Sequence, residues 1–384
     1  MRLVYLDGNA TTPPHPEVVA AMSPYLTEHW GNPSSKHAKG VAAREALARA
    51  RDGIAHALGA DESEIVLTGS GTEADVLGVI GCARACRLAT GKDMLVATTV
   101  EHPAVLGALK VLENEGFTLR LVDVGADGRP DPAAFAQAID DRTALACCML
   151  ANNESGAVLP VAEIARAAHA KGVSVMCDAV NACGKWPVHA AQLGVDLLAI
   201  SGHKFHGPRG IGALVVRKGT PLVPVIPGGG QERGRRGGTE NVASAVGLAK
   251  ALDLATTALD GSIANLRARA RELLDGLRRL EPALVLNSPQ VEAHRLPNTL
   301  HVSFPARSGA DLARELDHRG VCVSTGAACH DGGTGSPVLT AMGLDLARQR
   351  GGVRLSLLRT ATREDVDHAL VAFAGALAAV SARA

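Results

Sequence analysis

Short apolar runs alternate with helical patterns from residue 64 to residue 200, and this alternation is the strongest constraint on the fold. Apolar runs begin at residues 64, 94, 118, 143, 173 and 196, and stretches with helical spacing of Ala, Leu and charged residues separate them. Runs of this length read as strands, and the stretches between them read as helices. Strands that alternate with helices form a mostly parallel sheet covered on both faces. The sequence therefore predicts an α/β fold.

The chain changes character after residue 219. The Gly-rich stretch PGGGQERGRRGG (227–238) precedes one long helical pattern at about residues 242–280, and shorter strands and helices follow. A chain of 384 residues is long for a single domain. We therefore predict a large domain with a mostly parallel sheet and a smaller C-terminal α+β domain.

Charge and cysteine content exclude several classes of protein. The 39 basic residues balance the 39 acidic ones, which argues against a general nucleic-acid or membrane-surface binder. No signal peptide and no transmembrane stretch is expected. The eight cysteines contain no CxxC, so we expect reduced thiols and a cytoplasmic location. A metal site of His203, His206 and Cys183 lacks a convincing ligand pattern, and we predict no metal.

Four polar residues lie at or just after the ends of predicted strands. His102 ends the strand predicted at residues 94–102, Asp178 ends another, and Asn153 and Lys204 each follow one. In open α/β sheets, ligands bind at the carboxyl edge of the strands, where these residues would meet. Lys204 lies in SGHKFHGPRG (201–210), after a buried strand, and its amine could be desolvated enough to form a Schiff base with a pyridoxal aldehyde. A lone lysine in such a turn is more often a surface residue, so the prediction depends on its neighbours.

The neighbours favour a ring-shaped cofactor with a phosphate. A carboxylate at Asp178 is costly to bury unpaired, and a protonated pyridine nitrogen would serve as its partner. His102 could stack on such a ring and move protons, although a histidine at a strand end, taken alone, is more often structural. Gly71 and Thr72 open a predicted helix and could bind a phosphate, although an ordinary helix cap has the same composition.

Nine motifs occur in the order found in one enzyme family. They are LDGNATTP, GNPSS, SGTEAD, VEH, ANNESG, DAVN, SGHKFHGPRGIG, GGGQERGRRGGTEN and STGAACH. From about residue 3 to 370, the chain resembles the pyridoxal-phosphate-dependent cysteine desulfurases and selenocysteine lyases, which belong to the class V aminotransferase group of fold type I enzymes. The segments LPNT, GAACH and SPVL resemble those of the selenocysteine lyases more than those of the housekeeping desulfurases. The resemblance implies that residues 15–255 form the large pyridoxal-phosphate-binding domain, and residues 1–14 with 256–384 the small domain carrying the cysteine loop.

The resemblance also implies a role for each matching residue. Lys204 matches the Schiff-base lysine, Asp178 the acid at the pyridine nitrogen, and His102 the stacked histidine. Phosphate ligands are implied at Thr72, Ser201, His203 and, across a dimer interface, Thr239, and the backbone N–H of Gly71 would join them. Asn153 and Arg359 match the pair that holds the substrate carboxylate, and Cys329 matches the cysteine that receives the sulfur as a persulfide. Two residues depart from the family pattern: Asn181 stands where Gln is usual, at the contact to the cofactor's phenolic oxygen, and Leu358 where Gly is usual.

The implied activity is removal of sulfur from L-cysteine, giving L-alanine and a persulfide for an acceptor protein. The implied assembly is a homodimer with active sites shared across the interface. Three alternatives stay open: a selenocysteine lyase acting on L-selenocysteine, a fold type I enzyme of another reaction such as an epimerase or a β-lyase, and a non-catalytic sulfur-handling scaffold.

Overall fold

The computed structural model describes residues 2–325 and 335–381, so the predicted sulfur acceptor Cys329 lies outside the described residues. The strands are β1 Val4–Tyr5, β2 Ile65–Thr68, β3 Met94–Thr98, β4 Thr118–Val122, β5 Thr143–Cys147, β6 Ser174–Asp178, β7 Leu197–Ser201, β8 Gly212–Val216, β9 Val285–Leu286, β10 Thr299–Ser303, β11 Val321–Cys322 and β12 Gly352–Ser356. The helices are α1 Pro16–Thr27, α2 Ala38–Leu58, α3 Gly71–Thr90, α4 Pro103–Asn114, α5 Pro132–Ala138, α6 Val161–His169, α7 Ala190–Leu193, α8 Val242–Thr257, α9 Leu259–Leu280, α10 Gly309–His318, α11 Pro337–Ala341, α12 Leu346–Arg350 and α13 Arg363–Ser381.

Seven strands form the central sheet, in the order β2-β8-β7-β6-β5-β3-β4. All neighbouring pairs from β7 to β4 are parallel, and β8 is antiparallel to both β2 and β7. Strand β2 therefore runs in the same direction as β7. The prediction of an α/β fold with a mostly parallel sheet is confirmed, and the carboxyl ends of six strands lie at one edge.

The sheet is buried on both faces, as its near-continuous apolar strands predict. In β3, Met94 and Val96 join the core beneath helices such as α2 and α8, whereas Leu95 and Ala97 join the core beneath α3 and α4. Successive side chains of a strand point to opposite faces, so one short run of apolar residues contributes to both cores.

The C-terminal part of the chain forms a second core around two small sheets. Strands β12, β10 and β9 form an antiparallel sheet, and β1 pairs in parallel with β11. The rings of Phe304 and Phe373 stack at 5.9 Å in this core. The chain's first strand thus pairs with the C-terminal part, while the predicted boundary at residue 255 stays a prediction.

The prediction of a single long helix at about residues 242–280 is wrong, because the chain bends there by 69° between α8 and α9. Ala258, with φ −95° and ψ 7°, leaves the helical conformation between them. Leu248 of α8 packs into the core of the central sheet, whereas Leu273 of α9 packs into the C-terminal core. Two helices facing different cores cannot share one straight axis, and the helical pattern of the sequence does not reveal that difference.

Across the described ranges, no single helix combines the length and apolar character needed to span a membrane. The bent pair of α8 and α9 meets the requirement when the two helices are counted together, and then by length and composition alone.

Candidate active site

A cavity of about 460 Å³ opens at the carboxyl edge of the central sheet. Its walls bring together nine of the residues that the sequence nominated: Gly71, Thr72, His102, Asn153, Asp178, Asn181, Ser201, His203 and Lys204. They come from the ends of β2, β3, β5, β6 and β7, which are distant in sequence. The sheet topology places them around one volume.

One end of the cavity is built to receive an anion. Gly71 and Thr72 form the first turn of α3, whose unpaired backbone N–H groups and macrodipole favour negative charge. The buried hydroxyl of Ser201, at the end of β7, and the ring of His203 line the same cavity. A Cβ atom at Gly71 would lie 2.8 Å from Val180 and 3.0 Å from Ser201, so glycine allows this helix end to approach the strand ends.

Two buried carboxyl groups lie elsewhere on the wall of the cavity, Asp178 at the end of β6 and Asp75 in α3. Ligand atoms of Asp75, His102 and Asp178 lie within 4.8 Å of one another. Asp178 accepts a hydrogen bond of 2.8 Å from the backbone N–H of Val180, whereas Oδ1 of Asp75 has no partner among the described residues. Burial raises the pKa of Asp178, and burial together with the charges of Asp178 and Glu101 raises that of Asp75 well above its ordinary value. A cationic group, either a metal ion or a protonated ring nitrogen, would relieve this cost.

His102 caps helix α4 and does not end a strand, so the predicted strand from residue 94 was too long. Its Nδ1 accepts a hydrogen bond of 3.1 Å from the backbone N–H of Ala104, which leaves Nε2 to carry the proton of the neutral ring. Burial lowers the pKa of His102, and Asp178 opposes that shift. The ring therefore faces the cavity in a neutral form.

Lys204 ends a single turn of 3₁₀ helix, Gly202–Lys204, after strand β7. Its Nζ donates to the backbone carbonyls of Asn9 and Ala10, the latter at 3.1 Å. Burial lowers the pKa of Lys204 to about 8, assisted by the positive charge of Arg354. A lysine with this pKa has a substantial neutral fraction near physiological pH, and only the neutral amine is a nucleophile.

The N-terminal segment holds the turn that carries Lys204. Thr12 donates from its backbone N–H at 2.9 Å and from its hydroxyl at 2.8 Å to the carbonyl of His203. The same hydroxyl accepts a bond of 2.7 Å from the N–H of His206, a buried residue with φ of 66°. A non-glycine residue seldom adopts this left-handed conformation, and here the hydrogen bond to Thr12 holds it in place.

Two nominated residues, Arg359 and Thr239, do not line this cavity. Arg359 lines a smaller pocket on another side of Lys204 and donates at 2.8 Å to the carbonyl of Leu254. Thr239 is exposed in the Gly-rich segment, and Cys329 lies outside the described residues. Leu358, in place of the family's glycine, packs against Gly8, where a Cβ would lie 3.2 Å from its Cδ2. The structure thus separates Arg359 from Asn153, its predicted partner.

Sequence reasoning missed four residues that shape the site: Asp75, Glu101, Arg354 and Lys185. Glu101 is buried, and its Oε1 accepts bonds from Thr98 at 2.6 Å and from the N–H of Met149 at 2.9 Å. Arg354 pairs with Asp7 at 2.7 Å and donates to the carbonyl of Asn153 at 3.1 Å. An acid within an apolar helix, as in EADVLGVIG (73–81), was the one signal available in the sequence for Asp75.

The arrangement suits one kind of ligand. The anion-binding helix end, the buried acids and the lysine amine line a single cavity. An organic ring with a phosphate at one position, a protonated nitrogen at another and a carbonyl at a third would satisfy all three. The polar groups fix such a ring against Lys204, which could then bond covalently to a carbonyl on it.

Comparisons with known proteins agree with this geometry. The family model for class V aminotransferases matches residues 4–369. A cysteine desulfurase of Trichormus azollae is 42% identical over 377 residues, which cover 96% of this chain and 92% of the relative. A solved NifS-like protein is 35% identical, with a TM-score of 0.90 and coverage of 98% of this chain and 99% of that one. The solved structure of SspA in complex with cysteine is 32% identical, with a TM-score of 0.80 and coverage of 94% and 100%.

Proposed function

Because the chain belongs to the class V aminotransferase family, we propose that it is a pyridoxal-phosphate-dependent cysteine desulfurase that converts L-cysteine to L-alanine. The observation that carries the proposal is the cavity in which the amine of Lys204, the acid of Asp178 and the N-terminus of α3 meet. Relatives named cysteine desulfurase, and a similar structure described as containing cysteine, support the choice of substrate.

The donor groups fit pyridoxal phosphate. Gly71, Thr72, Ser201 and His203 would hold its phosphate, with Thr239 supplied by a second subunit of a homodimer. When bound, the cofactor supplies an electron sink for the bonds at the α-carbon of an attached amino acid. Asp178 would keep the proton on its ring nitrogen, because the negative charge of that buried carboxylate is stabilised by the cation beside it.

Lys204 and His102 would handle protons during the reaction. With a pKa of about 8, the Lys204 amine can take the α-proton of the substrate and later return it. The neutral His102 ring faces the same space and can pass a proton from Nε2. Asn153 on the cavity wall would hold the substrate carboxylate, and Arg359 would have to turn away from Leu254 to join it.

Cys329 would receive the sulfur. Its thiolate attacks the substrate sulfur, so one S–S bond forms and the bond between sulfur and the β-carbon breaks. The electron pair of the broken bond stays on carbon, which takes up a proton and leaves as alanine. The persulfide then passes to an acceptor protein, which restores the thiol.

The proposal is tested by adding pyridoxal phosphate and L-cysteine to the purified chain. We expect a visible absorption band, alanine formation, and loss of both in Lys204→Ala with the fold retained. Cys329→Ala should keep the band and form no alanine from L-cysteine. A chain that binds no cofactor would contradict the proposal, and wild-type turnover of cysteine by Cys329→Ala would contradict the role of that thiol.

The selenocysteine lyase alternative is decided with the same preparations. A selenol is a better leaving group than a thiol, so Cys329→Ala should retain a measurable share of turnover on L-selenocysteine. Equal loss on both substrates would mean that the cysteine is needed for either one.

A further inference from the structure

A second buried lysine, Lys185, lies on the loop that follows strand β6 and lines the smaller pocket beside Lys204. Nζ of Lys185 lies 3.1 Å from Oδ1 of Asn181, 3.0 Å from the carbonyl oxygen of Asn181, and 3.5 Å from Oδ1 of Asn9. Lys185 and Asn181 are both buried, at 6% and 4% exposure, and Asn181 lines the cavity. Three acceptor oxygens around one amine match the number of N–H bonds of an ammonium group.

This arrangement determines which way the Asn181 carboxamide faces. An amine that donates to the side chain requires the oxygen on the Lys185 side, so the NH₂ group must face the other way. A second neighbour requires the same orientation, because Nδ2 of Asn181 lies 3.5 Å from the carbonyl oxygen of Asn152. The remaining N–H of Nδ2 is then the group that the side chain can offer to the cavity.

We propose that Lys185 is a positioning residue, which holds the Asn181 amide so that it donates a hydrogen bond to an oxygen anion in the cavity. The inference rests on the proposed function, in which that anion is the phenolic oxygen of pyridoxal phosphate. Asn181 is one methylene shorter than the glutamine usual in the family, so its donor reaches less far into the cavity. A short side chain that is free to rotate would lose this donor more readily, and Lys185 prevents the rotation.

The same lysine is linked to the reactive amine through Asn9. The carbonyl of Asn9 accepts from Lys204, and the side chain of Asn9 is held at 3.0 Å by Nδ2 of Asn298 and at 2.9 Å by Thr299.

The titratable groups that face Lys185 are Lys204, Arg354 and the Cys183 thiol. Burial and the charges of Lys204 and Arg354 lower the pKa of Lys185 well below its ordinary value. A neutral amine still carries two N–H bonds, enough for both Asn181 oxygens.

The test is a pH titration of the visible absorption of the cofactor-loaded protein. A hydrogen bond donated to the phenolic oxygen stabilises its anion. It therefore lowers the pKa of the proton that this oxygen shares with the nitrogen of the linkage to Lys204. Lys185→Met, a near-isosteric change that removes the donor, should therefore raise the midpoint by about one pH unit. Asn181→Ala should raise it by a similar amount. The double variant should match either single variant, because Lys185 acts through Asn181.

A charge effect of Lys185 on Lys204 would give the same sign but a different pattern. In that case the shifts of the two single variants would add in the double variant, and the inference would be overturned. An unchanged midpoint in Lys185→Met would overturn it as well. If Lys185→Met does not fold, Lys185→Gln supplies an uncharged donor, and the inference requires a midpoint between those of wild type and Asn181→Ala. A wild-type protein with no visible band would contradict the proposed function itself.

Discussion

Arg51 and Glu232 form a buried ion pair that ties helix α2 to the Gly-rich segment. The guanidinium donates two hydrogen bonds to the carboxylate, at 2.7 and 2.9 Å, and the N–H of Leu67 adds a third at 2.9 Å. Glu232 and the next residue, Arg233, have φ of 47° and 57°, a left-handed conformation that non-glycine residues rarely adopt. The pair therefore holds the segment in a conformation that its own backbone disfavours.

Glu232→Gln should destabilise the protein by about 3 kcal/mol, because it leaves the buried Arg51 guanidinium with only the exposed carboxylate of Glu62, 4.0 Å from Nε, as a counter-charge. The matched control is the adjacent Arg233, which pairs with Glu62 at 3.0 Å on the surface. Arg233→Ala should cost less than about 1 kcal/mol. Urea unfolding of both variants measures the difference, and equal losses would contradict the contrast between a buried and an exposed pair.

Glu101→Gln should make the cofactor-free protein more stable at alkaline pH. Burial raises the pKa of Glu101 from 4.5 to about 7. The folded state then binds more protons than the unfolded state between these pH values, so the free energy of unfolding falls as the pH rises through this window. The glutamine keeps an oxygen for Thr98 and Met149, and it carries no charge. The variant should gain up to about 3 kcal/mol over wild type at pH 8 and little at pH 4.

The control for this prediction is Glu45→Gln, the same chemical change at an exposed residue of α2. Thermal unfolding at pH 4, 6 and 8 gives the comparison. A constant difference between Glu101→Gln and wild type at all three values would show that Glu101 does not titrate in this window.

Loading of the cofactor-free protein should report the pKa of Lys204. The neutral amine attacks the aldehyde, so the second-order rate of band formation should rise about tenfold per pH unit below pH 8 and level off above it. An ordinary lysine would continue to rise to beyond pH 10. Stopped-flow absorbance across pH 6 to 10 measures the profile, with free pyridoxal phosphate and a lysine peptide as the reference reaction. A midpoint near that of the peptide would refute the depressed pKa.

The sequence could predict the site residues that lie at the end of a strand or at the start of a helix. Asp178 and Lys204 follow buried strands, and Gly71 opens a helix after a Gly-rich turn, so the topology of an α/β sheet brings them to one edge. Asp75 lies at no such position. Its place within an apolar helix marks it as unusual, but it does not show which residues of the sheet it would face.

Contacts between distant segments could not be predicted for a related reason. Lys185 meets Asn9 across 176 residues, and Arg354 meets Asp7 across 347. These contacts depend on how the N-terminal segment crosses the cavity, which no local pattern encodes. The bend at Ala258 could not be predicted because each half of the pattern is compatible with a helix on its own. The two halves differ in the core against which each one packs, and the local sequence does not show that difference.

The two acids of the cavity should respond differently to neutralisation. Asp75→Asn should keep cofactor affinity within a few-fold of wild type, since the raised pKa of Asp75 favours its neutral form. Asp178→Asn should weaken affinity by about tenfold to a hundredfold, because it removes the anion that would pair with the ring nitrogen. Equilibrium binding of pyridoxal phosphate, followed by absorbance, compares the two. A larger loss for Asp75→Asn would reverse the assignment of the ionised acid.

Shared active sites should appear as complementation between two inactive variants. Arg236 pairs with Glu73 at 2.7 Å, and Arg51 with Glu232, so the Gly-rich segment is anchored on its own chain, while Thr239 is exposed and does not line that chain's cavity. Thr239 is thus available to a second subunit. In a heterodimer of Lys204→Ala and Thr239→Val, one of the two sites combines an intact Lys204 with an intact Thr239.

Random subunit exchange makes half of the dimers mixed, so about a quarter of all sites should regain activity. The converse mixture is the control, in which wild type is exchanged with the double variant carrying both changes. Its mixed dimers contain no complete site, so each wild-type chain should lose about half of its activity on average. Exchange is confirmed by mass spectrometry of tagged subunits. Complete exchange with no regained activity in the first mixture, and no loss in the second, would mean that each chain builds its site alone.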